Sequence, residues 1–378
     1  MMTPRWFAHS RFVPAEARDQ VTAQLETYPD DVRAVLDELR IPDTTVVISG
    51  SLGRQEPSVT YDGGRWRLES DLDLVLLVAD DEAAHPVHEV VPWLARRRPD
   101  LLTTGFVVRY DRARLMRSFI AADLALGWPN RIGGPADAQC PVTHRITVED
   151  HLELFAHQLS GWLLYPHTES QFAGSKHFRD AAETHLMKCA LEGMRLIVGA
   201  VDGHVQRYGD LLDRDAPAIL APHLPVEEVA KLIRLREVDG PDALQRESVR
   251  RCLVGGVTAY LGLPPGDLGD VPQVLADRLA GTAGELLLFR HCLLLLLTAH
   301  LEPGQQDGIA KVLHAYLEEW PATDEAERAA VRRLQAELAH GSVGLVDTDR
   351  RGDWIALRRQ YYGRLGDRNF GRDATAQD

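Results

Sequence analysis

A small α/β unit with a mixed sheet, followed by an all-helical C-terminal half, is the fold class this sequence predicts. Three observations predict it. From Val46 to Val78 the chain reads as a strand, a tight Gly-Ser turn, an inserted hairpin and a second strand. Strand and helix signals then alternate to about residue 126. Beyond about residue 148 nearly every segment has the period of a helix. With 378 residues the chain is long enough for two cores. Its 45% hydrophobic and 26% charged residues are those of an ordinary globular protein.

The chain opens on helices. Between residues 15 and 40, Val21, Leu25, Val32, Val35, Leu36 and Leu39 fall broadly on one face, with a break expected at Pro29–Asp31. Residues 1–43 are read as helices packing on the core. Pro42-Asp43 turns the chain into a strand at Thr44–Ser49. Asp62-Gly63, flanked by alternating Val59, Tyr61, Trp66 and Leu68, signals a hairpin. A helix signal starts at Asp80-Asp81-Glu82 and closes on Arg96-Arg97-Arg98. Strands at Gly105–Tyr110 and Ser118–Leu126 complete a unit spanning 44–148, which ends in the Gly/Pro-rich connector from Gly127 to Pro135.

Residues 149–378 form the helical domain, with signals near 149–165, 176–201, 226–237, 243–262, 271–301, 305–320 and 324–340. Trp354, Tyr361 and Tyr362 are expected to dock a last short helix, and Asp373–Asp378 to be disordered. Cys140, Cys189, Cys252 and Cys292 lack CxxC spacing, so neither a zinc site nor a disulfide framework is indicated. His185 and Cys189 lie four apart, but with nothing converging on them they read as core packing. MMTPRWFAHSRF has no continuous apolar stretch, and the run Leu286–Leu297 is broken by Arg290 and His291. A cytoplasmic protein with no membrane partner is therefore expected. The net charge of −14 argues against nucleic acid as a partner and suits a neutral or cationic small acceptor.

The chemistry concentrates on Asp71 and Asp73. Two apart on a strand, they project to one face while Leu72 and Leu74 enter the core. Neighbouring carboxylates repel, and a hard divalent cation such as Mg²⁺ removes that cost. The Gly50-Ser51 turn, with Gly53 after it, offers backbone N–H groups to phosphate oxygens. A surface-turn reading of the two aspartates is weakened by their place in a Leu/Val-rich strand, where a carboxylate needs a partner.

Gly50-Ser51 followed by Ser70-Asp71-Leu72-Asp73-Leu74 resembles the signature of the DNA polymerase β-like nucleotidyltransferase superfamily. The resemblance spans roughly residues 44–127, with a spacer between Ser51 and Asp71 longer than usual, which the inserted hairpin accounts for. It implies a Mg²⁺-dependent enzyme that moves a nucleoside monophosphate from an NTP, ATP foremost, to a hydroxyl or amine, releasing pyrophosphate. It implies two metals held by Asp71, Asp73 and a third carboxylate on a neighbouring strand, for which Asp123 fits as ligand or base. Gly50, Ser51, Arg54 and Ser70 would hold the phosphates, Lys188 on a helix would reach the triphosphate, and Tyr208 would stack on the base. A small molecule is the expected acceptor. The alternatives are a protein or tRNA acceptor, or an inert nucleotide-binding module. For Arg54, Lys188 and Tyr208 the plain readings, a surface arginine, a snorkelling lysine and a core tyrosine, compete with these roles.

Overall fold

A computed structural model describes residues 10, 12–80, 86–164, 181–201, 205–213, 215–234, 245–281, 284–341, 343 and 348–370. The expected disordered tail, the residues after Asp80 and the helix signal starting at 176 fall on or partly on positions outside these.

Helices α1 (Ala15–Glu26) and α2 (Tyr28–Glu38) meet at Thr27. The break precedes Pro29 because proline's fixed φ suits a first helical turn, so Pro29 opens α2 rather than ending α1. Strand β1 (Thr45–Ile48) runs into a single helical turn, α3 (Gly50–Gly53). Strands β2 (Val59–Asp62) and β3 (Arg65–Leu68) pair with Asp62 opposite Arg65. The turn residues are thus Gly63 and Gly64, at φ 58° and 81°, one position later than Asp62-Gly63 predicts. A two-residue turn of this kind needs positive φ at both centres, which two glycines supply. Gln20 and Gln24 of α1 bond the backbone of β3, closing that edge of the hairpin.

Next come β4 (Leu72–Val78), α4 (Val90–Arg97), β5 (Thr103–Arg109), α5 (Tyr110–Ala113), α6 (Phe119–Gly127) and the short β6 (Ile132–Gly133). Four strands form one sheet in the order β5-β4-β1-β6. Its β4–β5 pair is parallel, and β1 runs antiparallel to both β4 and β6. Side-chain alternation divides β4 cleanly. Leu72, Leu74, Leu76 and Val78 pack with α1, α2 and α4, whereas Val75 and Leu77 pack with Ala121 and Leu124 of α6.

The segment Ser118–Leu126, expected as a strand, is the helix α6. Its apparent alternation is broken by Ala121-Ala122, and alanine and leucine favour helix. Apolar residues all round suit a helix buried on several sides. Phe119, Asp123 and Gly127 recur at i, i+4 and i+8 and therefore share a face. Gly127 lies so close to β1 that a Cβ would fall 2.2 Å from the Ile48 carbonyl oxygen.

The second half is helical: α7 (Val148–Leu164), α8 (Ala181–Val201), α9 (Ala216–Leu220), α10 (Val226–Arg234), α11 (Arg246–Leu261), α12 (Val271–Leu279), α13 (Glu285–Leu301), α14 (Gln306–Glu318), α15 (Glu325–Leu338) and α16 (Thr348–Phe370). The signal at 271–301 splits because Gly284, at φ 105°, lies between α12 and α13. The last helix is long rather than short, with 23 residues, and Trp354 and Tyr361 dock it into the helical core. Phe12 also belongs to that core, so the N-terminal segment reaches across both halves. Among the described residues no single helix is long and apolar enough to cross a membrane, and α13 is buried instead.

Candidate active site

Asp73 has the same parity on β4 as Val75 and Leu77, so it leaves the sheet on the α6 side. Its Oδ1 accepts from the hydroxyl of Thr104, its register partner on β5, at 2.8 Å. Its backbone carbonyl accepts from the Ser49 N–H at 2.8 Å. Oδ2 reaches over the Gly50 backbone, where a Cβ would stand 2.0 Å from it. Gly50 itself is at φ 61°. The glycine of the turn is therefore required twice, by its backbone conformation and by the carboxylate resting on it. Gly50→Ala is expected to cost about 1–3 kcal/mol and to displace Asp73. Urea unfolding measures the cost, and an unchanged midpoint would contradict this packing.

Burial, and then the charge of Asp71, push the Asp73 pKa up to about 7. Both carboxylates are half-buried. The Asp71 charge acts on Asp73.

Asp123 lies on α6, not on a strand, and its helix covers the face of the sheet from which Asp73 projects. Its Oδ2 accepts from Arg54 Nη1, while its Oδ1 is buried with no bond of good geometry, the Gln206 side chain being the further polar group that acts on the carboxyl. Burial raises its pKa to about 6 against the opposing charges of Arg54 and Arg195. Asp123 is thus held in an ion pair with Arg54, and its charge also acts on Asp73. Among the described residues no three His, Cys, Asp or Glu side chains are grouped to hold a metal ion.

Arg54 is committed to carboxylates and an aromatic ring. Its side chain is 12% exposed, pairs with Asp123, lies 3.6 Å from Glu56 and sits 5.6 Å from the centre of the Phe119 ring. Gln55, at φ 63°, turns the chain so that Glu56 folds back and its N–H reaches the Ser51 carbonyl at 2.7 Å. Ser70 accepts the Ser58 N–H at 2.7 Å and closes the base of the β2–β3 hairpin beside Asp71.

From Arg54 the network crosses into the helical half. Glu56 Oε1 accepts the Gly209 N–H at 2.9 Å, and its Oε2 lies 3.6 Å from Arg195 of α8. Arg195 is fully buried, donates to the Gln206 carbonyl at 2.6 Å, and pairs with Glu192 at 3.3 Å. Its guanidinium lies 3.9 Å from the centre of the Tyr208 ring, whose hydroxyl bonds Glu192. Tyr208 is thus occupied on that face and buried, which corrects its expected role as a stacking platform for a base. Beneath Arg195, His151 packs on Phe119 with both ring nitrogens unpartnered. Burial, then Arg195, pushes its pKa down to about 3, so it stays neutral.

Lys188 lies one turn before Glu192 on α8 and is half-buried. Its charge acts on His157 and His185, together with Arg358 of α16. It therefore belongs to the α7–α8–α16 junction. Cys189, beside it, is a buried thiol of the core with its pKa raised by burial.

Thr104, Glu56, Glu192 and Arg195 escaped the sequence reading. Arg195 carried a signal, a lone arginine in the apolar run Leu191–Val198 with Glu192 three residues before it. Thr104 carried none, because its importance comes from strand register alone. A cavity of about 410 Å³ opens elsewhere, beside His223, Arg250, Arg251 and Pro265, and none of the expected site residues lines it.

No family model matches this chain, and no curated protein or solved structure matches it either.

Proposed function

We propose that this protein is a nucleotidyltransferase that moves AMP from Mg²⁺-bound ATP to a hydroxyl or amine of a small molecule, releasing pyrophosphate. The observation that carries this reading is the Asp73 carboxylate seated on Gly50, with Asp71 beside it. A turn suited to phosphates and a hard oxygen donor thereby lie in contact. The group the reading requires is a divalent cation, and the residues fit it. Asp71 and Asp73 are carboxylates, the donors Mg²⁺ prefers, and burial with mutual repulsion leaves Asp73 short of positive charge. When bound there, Mg²⁺ would neutralise phosphate charge and act as a Lewis acid.

The chain's own residues supply the remaining chemistry. Thr104 fixes the Asp73 carboxylate by holding Oδ1, which leaves Oδ2 as the more available oxygen. Backbone N–H groups of the Gly50-Ser51 turn are suited to the phosphates of the nucleotide, by the same logic as other glycine-rich turns. Asp123, kept near Arg54 with one oxygen lacking a bond of good geometry, is the candidate to take the acceptor's proton, and its pKa of about 6 suits a general base near neutral pH. Arg54, through Asp123 and Glu56, positions that base rather than touching phosphate.

One observation favours a second reading, an inert nucleotide-binding module: the third carboxylate is engaged by an arginine. Incubation with Mg²⁺ and each labelled NTP, with and without a panel of amine and hydroxyl compounds, separates the two. Acceptor-dependent pyrophosphate release is the expected result, label on protein or tRNA would redirect the acceptor, and nucleotide binding without any product would favour the module.

A further inference from the structure

We propose that the site takes up a single divalent cation, on Asp71 and Asp73, because the guanidinium of Arg54 already supplies the positive charge at Asp123. The inference rests on the nucleotidyl-transfer reading and specifies how its charges are balanced.

Four features of the structure converge on it. The strand beside the Asp71–Asp73 pair brings Thr104, a hydroxyl and not a carboxylate, opposite Asp73 in the parallel register. A carboxylate that could bridge a second ion is therefore missing from the neighbouring strand. Asp123, on the helix that covers this face, has one oxygen held by Arg54. Arg54 is itself held, by Glu56 at 3.6 Å and by the Phe119 ring, and a guanidinium does not lose its proton in a protein. Its charge is felt at Asp73 as well as at Asp123. A dication brought to Asp123 would meet that like charge in direct contact with the carboxylate, whereas at Asp73 the charge of Asp71 outweighs that of Arg54. Arg54 is a positioning residue in this scheme: it acts through Asp123, keeping that carboxylate in place.

Mn²⁺ titration of the full chain with a non-hydrolysable ATP analogue, read by electron paramagnetic resonance and equilibrium dialysis, tests the idea. One protein-dependent Mn²⁺ per chain with the spectrum of an isolated ion is expected. Two magnetically coupled ions in the wild type would overturn the inference and leave the nucleotidyltransferase reading standing. No protein-dependent Mn²⁺ at all would overturn both. Arg54→Ala should admit a second, coupled ion, and Arg54→Lys should not; a single ion in a folded Arg54→Ala protein counts against the proposal. Asp123→Asn should bind its one ion within about threefold of the wild type, since Asp123 is not a ligand here. Loss of that ion in Asp123→Asn would sink the idea, and this arm holds even where Arg54→Ala fails to fold.

Discussion

Asp73→Asn is expected to abolish nucleotidyl transfer, by on the order of 10³-fold or more, while stabilising the metal-free protein. Loss of activity follows because the variant keeps the Thr104 contact but loses the charge that would hold a cation. The gain in stability follows from the titration of Asp73. Its pKa rises from 3.8 to about 7 in the folded chain, chiefly through burial and secondly through Asp71. A raised carboxyl pKa means that folding favours the protonated form. The corresponding stability is fully present below the unfolded pKa and is lost as pH climbs through the folded one. Asparagine does not incur that loss. The advantage of the variant should thus be small near pH 4, grow through pH 5–7 and level off above, reaching about 1–3 kcal/mol after allowance for partial solvation. For a chain of this size that corresponds to roughly 1–4 °C. Thermal melts at pH 4.5, 6 and 8 without divalent ions measure it, and an advantage independent of pH would refute the assigned environment of Asp73.

A second large effect is expected at Arg195→Met, a loss of about 3–5 kcal/mol. Arg195 is wholly buried between Glu192, Glu56, the Gln206 carbonyl and the Tyr208 ring. Removing the guanidinium takes one buried cation from Glu192 and Glu56 where water does not reach them, and a desolvated carboxylate short of counter-charge is costly in a fold. The same change removes the Arg195 part of the link from the helical half through Glu56 to Arg54, leaving the Gly209 N–H on Glu56. Urea unfolding should show the lowered midpoint, and Glu56→Gln added to Arg195→Met should recover part of the loss. A single variant as stable as the wild type would mean that the network does not join the two halves energetically.

Much of the molecule was legible in local pattern. The α/β-then-helical order, the strands β1 and β4, the hairpin insertion and most helices of the second half follow from periodicity and turn residues, because each depends on neighbours in the chain. Asp71, Asp73 and Gly50 were legible for the same reason: all three sit on one continuous strand–turn–strand stretch. Asp123 was found as a residue but not as a geometry. Ala121-Ala122 within an apolar run leaves strand and helix close in local preference, and burial on β1 through Gly127 decided for helix. Tyr208 and Arg54 were read for their side-chain chemistry as nucleotide ligands, whereas their partners, Glu192 and Arg195 for the one and Asp123 for the other, lie 13 or more residues away in sequence.

The sequence by itself determined which residues form the carboxylate pair and the glycine turn, since alternation along β4 and the backbone freedom of Gly50 are properties of short segments. Only the tertiary structure decided what surrounds them. Strand register set Thr104 against Asp73, helix packing set Arg54 against Asp123, and the approach of Glu56, Phe119 and Tyr208 buried Arg195. Each of these is a contact between distant segments, fixed by how apolar faces are covered and buried charges are paired, and no local pattern encodes that choice.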